Sequence, residues 1–466
     1  MGIHRRDTIE PGKLAKGLGP YAAVAVVAGT VIGTAIFLVP SQMLAHVGSP
    51  IKVIEVWVFA GVLSLFGALG YAELGGALPE AGGEYVYLRE AYGPGAGFLY
   101  GWAQLMIAKA ASIATIATGF MLYASFFFPR LSSVLWERSF GRPGHEWTLK
   151  LTGVQLGAVL LIFLLSGLNV LGVRRSGAVQ TVFTAAKLAV LGALIVLGLT
   201  IGDGSFAHFT TTVPLASGSS AASGFLLATV SALWAYDGWN NLSMVAGEVQ
   251  NPRRNVPLAL IAGSLLVLAI YLLANLAYFY VLTPAEAVST MTIAATAARH
   301  LLGGPGATLV AIGVLISTFA TLNGSILSGS RIPYAQARDG LFPRALARVH
   351  RRFHTPHLAI AAQAVVAGAF ALTGAYEALY TKAIYSEWIF YALVTLGLLI
   401  LRRRQPDLPR PYRMWGYPVV PVVFVGIALL ILGDTLFERP LDAIWCLGLL
   451  ATGIPAYFVW RRIWSA

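Results

Sequence analysis

Apolar residues run along this chain in stretches of about twenty, set apart by short polar connections, from residue 21 almost to the end. Crossing a hydrocarbon core of roughly 30 Å takes about 20 helical residues, so each stretch predicts a transmembrane helix. Twelve are expected, over 21–45, 51–78, 94–127, 152–170, 178–201, 222–247, 257–282, 306–336, 357–374, 378–402, 417–437 and 441–463. The fold class that follows is an all-α integral membrane protein.

Two of the stretches are interrupted at mid-length. In the first, Gly29-Thr30-Val31-Ile32-Gly33-Thr34 places helix-weakening glycines and two hydroxyls inside an apolar run. In the sixth, Trp234-Ala235-Tyr236-Asp237-Gly238-Trp239-Asn240-Asn241 adds an acid and two amides. Backbone released from helical bonding at that depth survives only where protein or a wet cavity surrounds it. A small-residue packing face would also explain Gly29 and Gly33, and a paired structural carboxylate would explain Asp237. Five helices separate the two interruptions, so the second runs opposite to the first. Interrupted segments at matching places in inverted halves point to a transport site between them. The expected divisions are a cytoplasmic tail (1–20), two inverted repeats (21–201 and 222–402) and two peripheral spans (403–466).

Composition removes the alternatives to a bilayer environment. At 57% hydrophobic and 11% charged residues, the chain lacks the polar surface of a soluble globule. Its net charge of +12 is spread in a way that argues for topology rather than nucleic acid. Most of the 32 basic residues sit in alternate connections, from Arg5, Arg6, Lys13 and Lys16 through Arg89, Arg174, Arg175, Arg253 and Arg254 to the clusters around Arg331–Arg352 and Arg402–Arg413. That bias places both termini in the cytoplasm, with the cell membrane as the site. The polar amino-terminal residues and the long first run do not read as a cleaved signal. Cys446, the single cysteine, lies in the last span, so no internal disulfide or cysteine metal cluster is expected. The eight histidines fall in connections or at span ends with no metal-ligand spacing, and no filter repeat suggests a channel. Neither an enzyme, a metal nor a cofactor is expected.

Two lysines fall inside spans, where an ionisable group costs about 2.5 to 3.5 kcal/mol on insertion scales. Lys187 sits ten residues into the fifth span, near the bilayer midplane, where its chain cannot easily reach water. Lys109, in the third span, reads best as part of a structural ion pair.

The stretch Val26 to Pro40, with Gly33-Thr34-Ala35-Ile36-Phe37, resembles the first helix of the amino acid-polyamine-organocation superfamily, especially its L-type amino acid transporter branch. Matching pieces follow in order: Tyr71-Ala72-Glu73 with Pro79 to Tyr85, Ala235 to Asn240 with Gly247 to Pro257, Asn323-Gly324-Ser325, Ala337 to Gly340, and Arg410-Pro411-Tyr412-Arg413. The resemblance implies a LeuT-type 5+5 inverted repeat plus two peripheral helices, and amino acid transport by alternating access. Substrate contacts are expected at Ile32, Gly33, Thr34, Ala35 and Ile36, where the outer half of span one presents its N–H groups to a carboxylate. Others are expected at Trp234, Ala235, Tyr236, Asp237 and Gly238, whose carbonyls suit an ammonium, and at Asn323 and Trp388. Trp234 matches the outer gate and Trp388 a wall residue.

Lys187 matches a lysine that lies where sodium-coupled relatives hold a cation, so sodium-independent exchange is implied. Asp237 stands where many carriers of large neutral substrates have a small residue; it suits a cationic side chain, a resident group or a proton. Ala35 replaces the usual glycine. The connection from Pro129 to Lys150 lacks the cysteine through which animal members join an ancillary subunit, so the chain is expected to work without a disulfide-linked partner. Glu73, Glu80, Glu84 and Glu248 are expected to face the cytoplasmic arginines. A proton-coupled amino acid or polyamine permease is the alternative in the same class. A nutrient sensor on a transporter scaffold is the alternative in another, disfavoured by the short tails.

Overall fold

The computed structural model describes residues 18–465 apart from 81, 143–144, 172–175, 216–219, 354 and 374–375. The basic residues Arg5, Arg6, Lys13, Lys16, Arg174 and Arg175, most of the 1–20 tail and the Glu248 side chain lie outside the described residues.

The first apolar run is two helices, α1 (Pro20–Val31) and α2 (Ala35–Val47), bent by 45° across residues 32–34. After it come α3 (Pro50–Ala77), α4 (Glu84–Tyr92), and the pair α5 (Pro94–Ala103) and α6 (Lys109–Ala124), joined through a π-turn at Gln104–Ala108. Next are α7 (Gly153–Val170), α8 (Ser176–Thr200), and a second broken run, α9 (Ala221–Tyr236) and α10 (Asn241–Met244). The chain continues with α11 (Pro252–Val281), α12 (Pro284–Ser289), α13 (Ile293–Gly329), α14 (Arg331–Arg338), α15 (His357–Thr373), α16 (Tyr376–Arg404), α17 (Val419–Glu438) and α18 (Pro440–Ser465).

Every run read from the sequence carries helix. Among the described residues eight helical stretches are long and apolar enough to cross a membrane, and α1 with α2 makes a ninth as one bent span. The remaining runs hold α8, α9 with α10, and α15, which as described are too short or too interrupted to meet that measure alone. This is a multi-pass membrane protein.

One departure from an all-helical chain is a hairpin of β1 (Val134–Arg142) and β2 (His145–Thr152), antiparallel, with Glu137 opposite Lys150 and their charged atoms 2.9 Å apart. Such a hairpin satisfies its own backbone outside the hydrocarbon, where water serves its edges. A second element outside the spans, α12, is capped by Thr283 and Glu286 in reciprocal hydrogen bonds. The Thr283 hydroxyl and N–H hold the Glu286 carboxyl below its usual range.

The core is where the broken helices meet the long ones. Helix α1 packs on α11, α2 on α9, and α3 on both α9 and α11. Charge is satisfied locally at the arginine-rich end. Glu73, fully buried, accepts from Arg402 Nε at 2.8 Å and Nη2 at 2.5 Å, lies 3.3 Å from Arg410 Nε, and accepts from the Met414 N–H at 2.7 Å. Nearby, Arg89 lies 3.6 Å from Glu80 and 3.7 Å from Asp339, and the Tyr85 hydroxyl donates to Asp339. Glu84 behaves differently. The sequence places it with the arginines, but it is fully buried and accepts from Asn240 Nδ2 at 2.6 Å. As the first residue of α4, it follows that helix into the bundle.

Candidate transport site

The α1–α2 break begins where Ile32 leaves helical geometry, its N–H still bonded to the Ala28 carbonyl. Gly33 and Thr34 follow, and their N–H groups donate to no backbone carbonyl among the described residues. With the first N–H groups of α2, they form an anion-seeking helix N-terminus inside the protein.

The carbonyls on the other side of this break are taken by a cation. Lys187 on α8, 1% exposed, donates from Nζ to the Ile32 carbonyl at 2.7 Å, the Gly29 carbonyl at 3.0 Å and Thr321 Oγ1 at 3.1 Å. Three donors thus have three acceptors. Gly29 makes this reach possible: a Cβ there would stand 2.6 Å from Thr184 Oγ1, one turn before Lys187 on the same helix.

In the second break α9 ends at Tyr236, Asp237 is extended, and Gly238 adopts φ +111°, a conformation that penalises a side chain. A Cβ at Gly238 would also approach the Thr30 carbonyl to 3.1 Å. The breaks touch there, and Thr30 Oγ1 donates to the Gly238 carbonyl at 3.0 Å. Tyr271 of α11 lies between them, its hydroxyl 3.0 Å from the carbonyls of both Val31 and Ala235. Asp237 accepts from the Tyr391 hydroxyl at 2.7 Å.

A cavity of about 440 Å³ opens between these breaks. Gly33, Thr34, Ala35, Trp234, Asp237, Gly238 and Asn323 line it, joined by Lys109 and Thr321. Its deep end is covered by polar aromatics: Trp234 Nε1 donates to the Tyr376 hydroxyl at 3.1 Å, and that hydroxyl lies 3.3 Å from Thr34 Oγ1. The Trp234 ring stacks on Tyr380. From there the cavity extends to Leu18, Val245 and the exposed Arg331, at the arginine-rich end.

The other expected contact residues sit beside the cavity rather than on it. Ile32 gives its carbonyl to Lys187, Ile36 is a buried residue of α2, Ala235 gives its carbonyl to Tyr271, and the Tyr236 hydroxyl donates to the Trp57 carbonyl. Trp388 packs against Phe424 and Tyr391, facing α17 instead of the cavity. Asn323 accepts from Asn169 Nδ2 at 2.7 Å. Lys109 is bonded to Asn241 Oδ1 at 3.4 Å and makes no ion pair within 4.0 Å among the described residues.

Sequence reasoning missed Tyr271, Thr321, Tyr376 and Glu387. A tyrosine or threonine within an apolar run carries no distinguishing mark, and Tyr376 at a span end reads as an interfacial aromatic. Glu387 could have been found, because an acid ten residues into a span is costly on the same grounds as Lys187.

The family model described as amino acid permease matches residues 18–437. The chain is 33% identical over 451 residues to the human b(0,+)-type amino acid transporter 1, covering 96% of this chain and 88% of the relative. It is 33% identical over 456 residues to the serine/threonine exchanger SteT of Bacillus subtilis, covering 97% and 98%. To the mouse large neutral amino acids transporter small subunit 2 it is 31% identical over 449 residues, covering 96% and 81%. A cavity set between two broken membrane helices and a match that runs almost end to end lead to one conclusion: the chain belongs to the amino acid permease family.

Proposed function

We propose that the protein is a sodium-independent exchanger of L-amino acids that works by alternating access, taking neutral substrates and, through Asp237, cationic ones. The observation that carries this reading is the Lys187 ammonium held by the Gly29 and Ile32 carbonyls and Thr321. It puts a positive charge where a coupling cation would otherwise neutralise the helix ends. The substrate carboxylate meets the N–H groups around Gly33 to Ala35, and its ammonium meets the carbonyl end of α9. The relatives' names, an exchanger of serine and threonine among them, support exchange as the mode.

The cavity reaches the arginine-rich end and is covered at the other by Trp234, Tyr376 and Thr34, which fits an inward-open state with that end in the cytoplasm. The same reading includes twelve spans, repeats over 21–201 and 222–402, and activity without a disulfide-linked ancillary subunit, since Cys446 is buried.

Counterflow in liposomes tests it. Labelled serine is expected to enter vesicles preloaded with unlabelled serine, to enter empty vesicles poorly, and to enter equally well when choline replaces sodium. Equal entry into empty vesicles would replace exchange by uniport. A sodium requirement would remove the role given to Lys187.

A further inference from the structure

The substrate cavity does not account for all the charge buried beside it. Asp237 and Lys109 line the cavity, but Glu84 and Glu387 stand behind them, 0% and 4% exposed. The three carboxyls come from separate parts of the chain, at the start of α4, after α9 and midway along α16, and each lies near enough to Lys109 to feel its charge. None has an ammonium or guanidinium within 4.0 Å among the described residues. Glu73, buried just as deeply, has two guanidiniums and a backbone N–H.

The partners the cluster does have are neutral. Asn240 Nδ2 donates to Glu84 at 2.6 Å, Gln104 Nε2 to Glu387 at 2.9 Å, and the Tyr391 hydroxyl to Asp237 at 2.7 Å. An amide serves a carboxylate through its NH₂ and a carboxylic acid through its oxygen, so Gln104 and Asn240 suit either form. Gln104 Oε1 is buried with no partner, an acceptor waiting for an O–H. The π-turn at Gln104–Ala108 puts this amide one turn before Lys109. The other titratable groups that face the cluster are hydroxyls, from Tyr71 on α3, Tyr87 on α4 and Tyr100 on α5. The Tyr71 hydroxyl is also buried without a partner. Three carboxyls therefore share one ammonium, and burial of an uncompensated ion is strongly opposed. Protons make up the difference.

We propose that Glu84, Asp237 and Glu387, gathered about Lys109, form a proton-binding site that gives up one proton when a cationic amino acid enters the cavity and regains it when a neutral one takes its place. The step is a plain ionisation. One carboxyl O–H bond breaks, its electron pair stays on the carboxylate oxygen, and the proton leaves by way of Asp237, the carboxyl that lines the cavity, to water there. The incoming ammonium or guanidinium then offsets the new negative charge. The inference rests on the cationic branch of the proposed function. Its consequence is that exchange of a cationic for a neutral amino acid moves no net charge, because a proton returns with the neutral substrate.

The test uses full-length protein in liposomes loaded with serine and a pH-sensitive dye, with labelled arginine or serine outside. Arginine entry is expected to alkalinise the lumen by one proton per arginine and to ignore an imposed membrane potential; serine-for-serine exchange leaves lumenal pH unchanged. In Glu387→Gln, or in Glu84→Gln should the first fold poorly, the proton count per arginine is expected to fall toward zero and arginine entry to become voltage-driven. Serine-for-serine exchange reports that the variant is folded. Arginine entry in wild type without alkalinisation, and accelerated by a negative lumen, would overturn the proposal while leaving the substrate reading intact. If serine exchanges and arginine does not enter, the cationic reading fails, and the proton site is judged on serine alone. Its exchange is then expected to drop several-fold as pH is raised, and Glu387→Gln to flatten that profile. Identical profiles would overturn the site.

Discussion

The two breaks in the membrane helices are alike in backbone and opposite in charge. Between α1 and α2 the freed carbonyls are engaged by a resident ammonium that is fully enclosed, whereas after α9 the chain carries a carboxyl that faces the cavity and accepts from one tyrosine. Interrupting a helix in a bilayer leaves polar groups that must find partners. The carbonyls of the first break find theirs within the protein. The second keeps a side chain that faces the cavity, and on the proposed reading its partner is the cationic group of a substrate. On the proposed function, the enclosed charge holds the shape of the site and the one facing the cavity selects what fills it.

Removing the fixed charge tests the comparison most severely. Lys187→Ala leaves the Gly29 and Ile32 carbonyls buried and unpaired, at about 1–3 kcal/mol each. Serine exchange in liposomes is expected to fall at least about tenfold. Normal exchange would reduce Lys187 to a packing residue. The available charge comes next. With Asp237→Asn, the arginine concentration that half-inhibits labelled serine uptake is expected to rise about tenfold, since a hydrogen bond to an ion is worth about 1.5–3 kcal/mol. Inhibition that does not move would mean that the two breaks do not differ in selectivity.

Smaller effects concern the backbone that both share. Gly238→Ala forces a side chain into φ +111° and against the Thr30 carbonyl, a strain of about 1–3 kcal/mol, which is expected to lower the melting temperature of purified protein by a few degrees. Thr30→Val removes the hydroxyl that bonds Gly238 and is expected to cost about 1 kcal/mol, seen as a few-fold weaker apparent affinity for serine.

Much of this arrangement is legible in the sequence because a bilayer punishes polar groups. Glycines beside Thr34 and Asp237 mark the breaks, and Lys187 at mid-span marks a cation that must have acceptors. What resists reading is which way a side chain points along a buried helix. Glu387 and Trp388 are neighbours on α16, about 100° apart in helical phase; the tryptophan meets Phe424 while the acid meets Gln104. Both faces are apolar in composition, so no periodicity separates them. Glu84 escapes for a related reason. Its surroundings in sequence, glycines and nearby charge, resemble a solvent-facing connection, yet the start of α4 turns into the bundle against Asn240.

The Tyr271 hydroxyl sits at equal distance from the last turns of α1 and α9, yet it has a single hydrogen to give. Whether that hydrogen goes to one carbonyl or is shared between both, it joins the end of α1 to the end of α9 through a single side chain of α11. The two helix tips are thus yoked through one hydroxyl, and a displacement of either changes the hydrogen bonding open to the other.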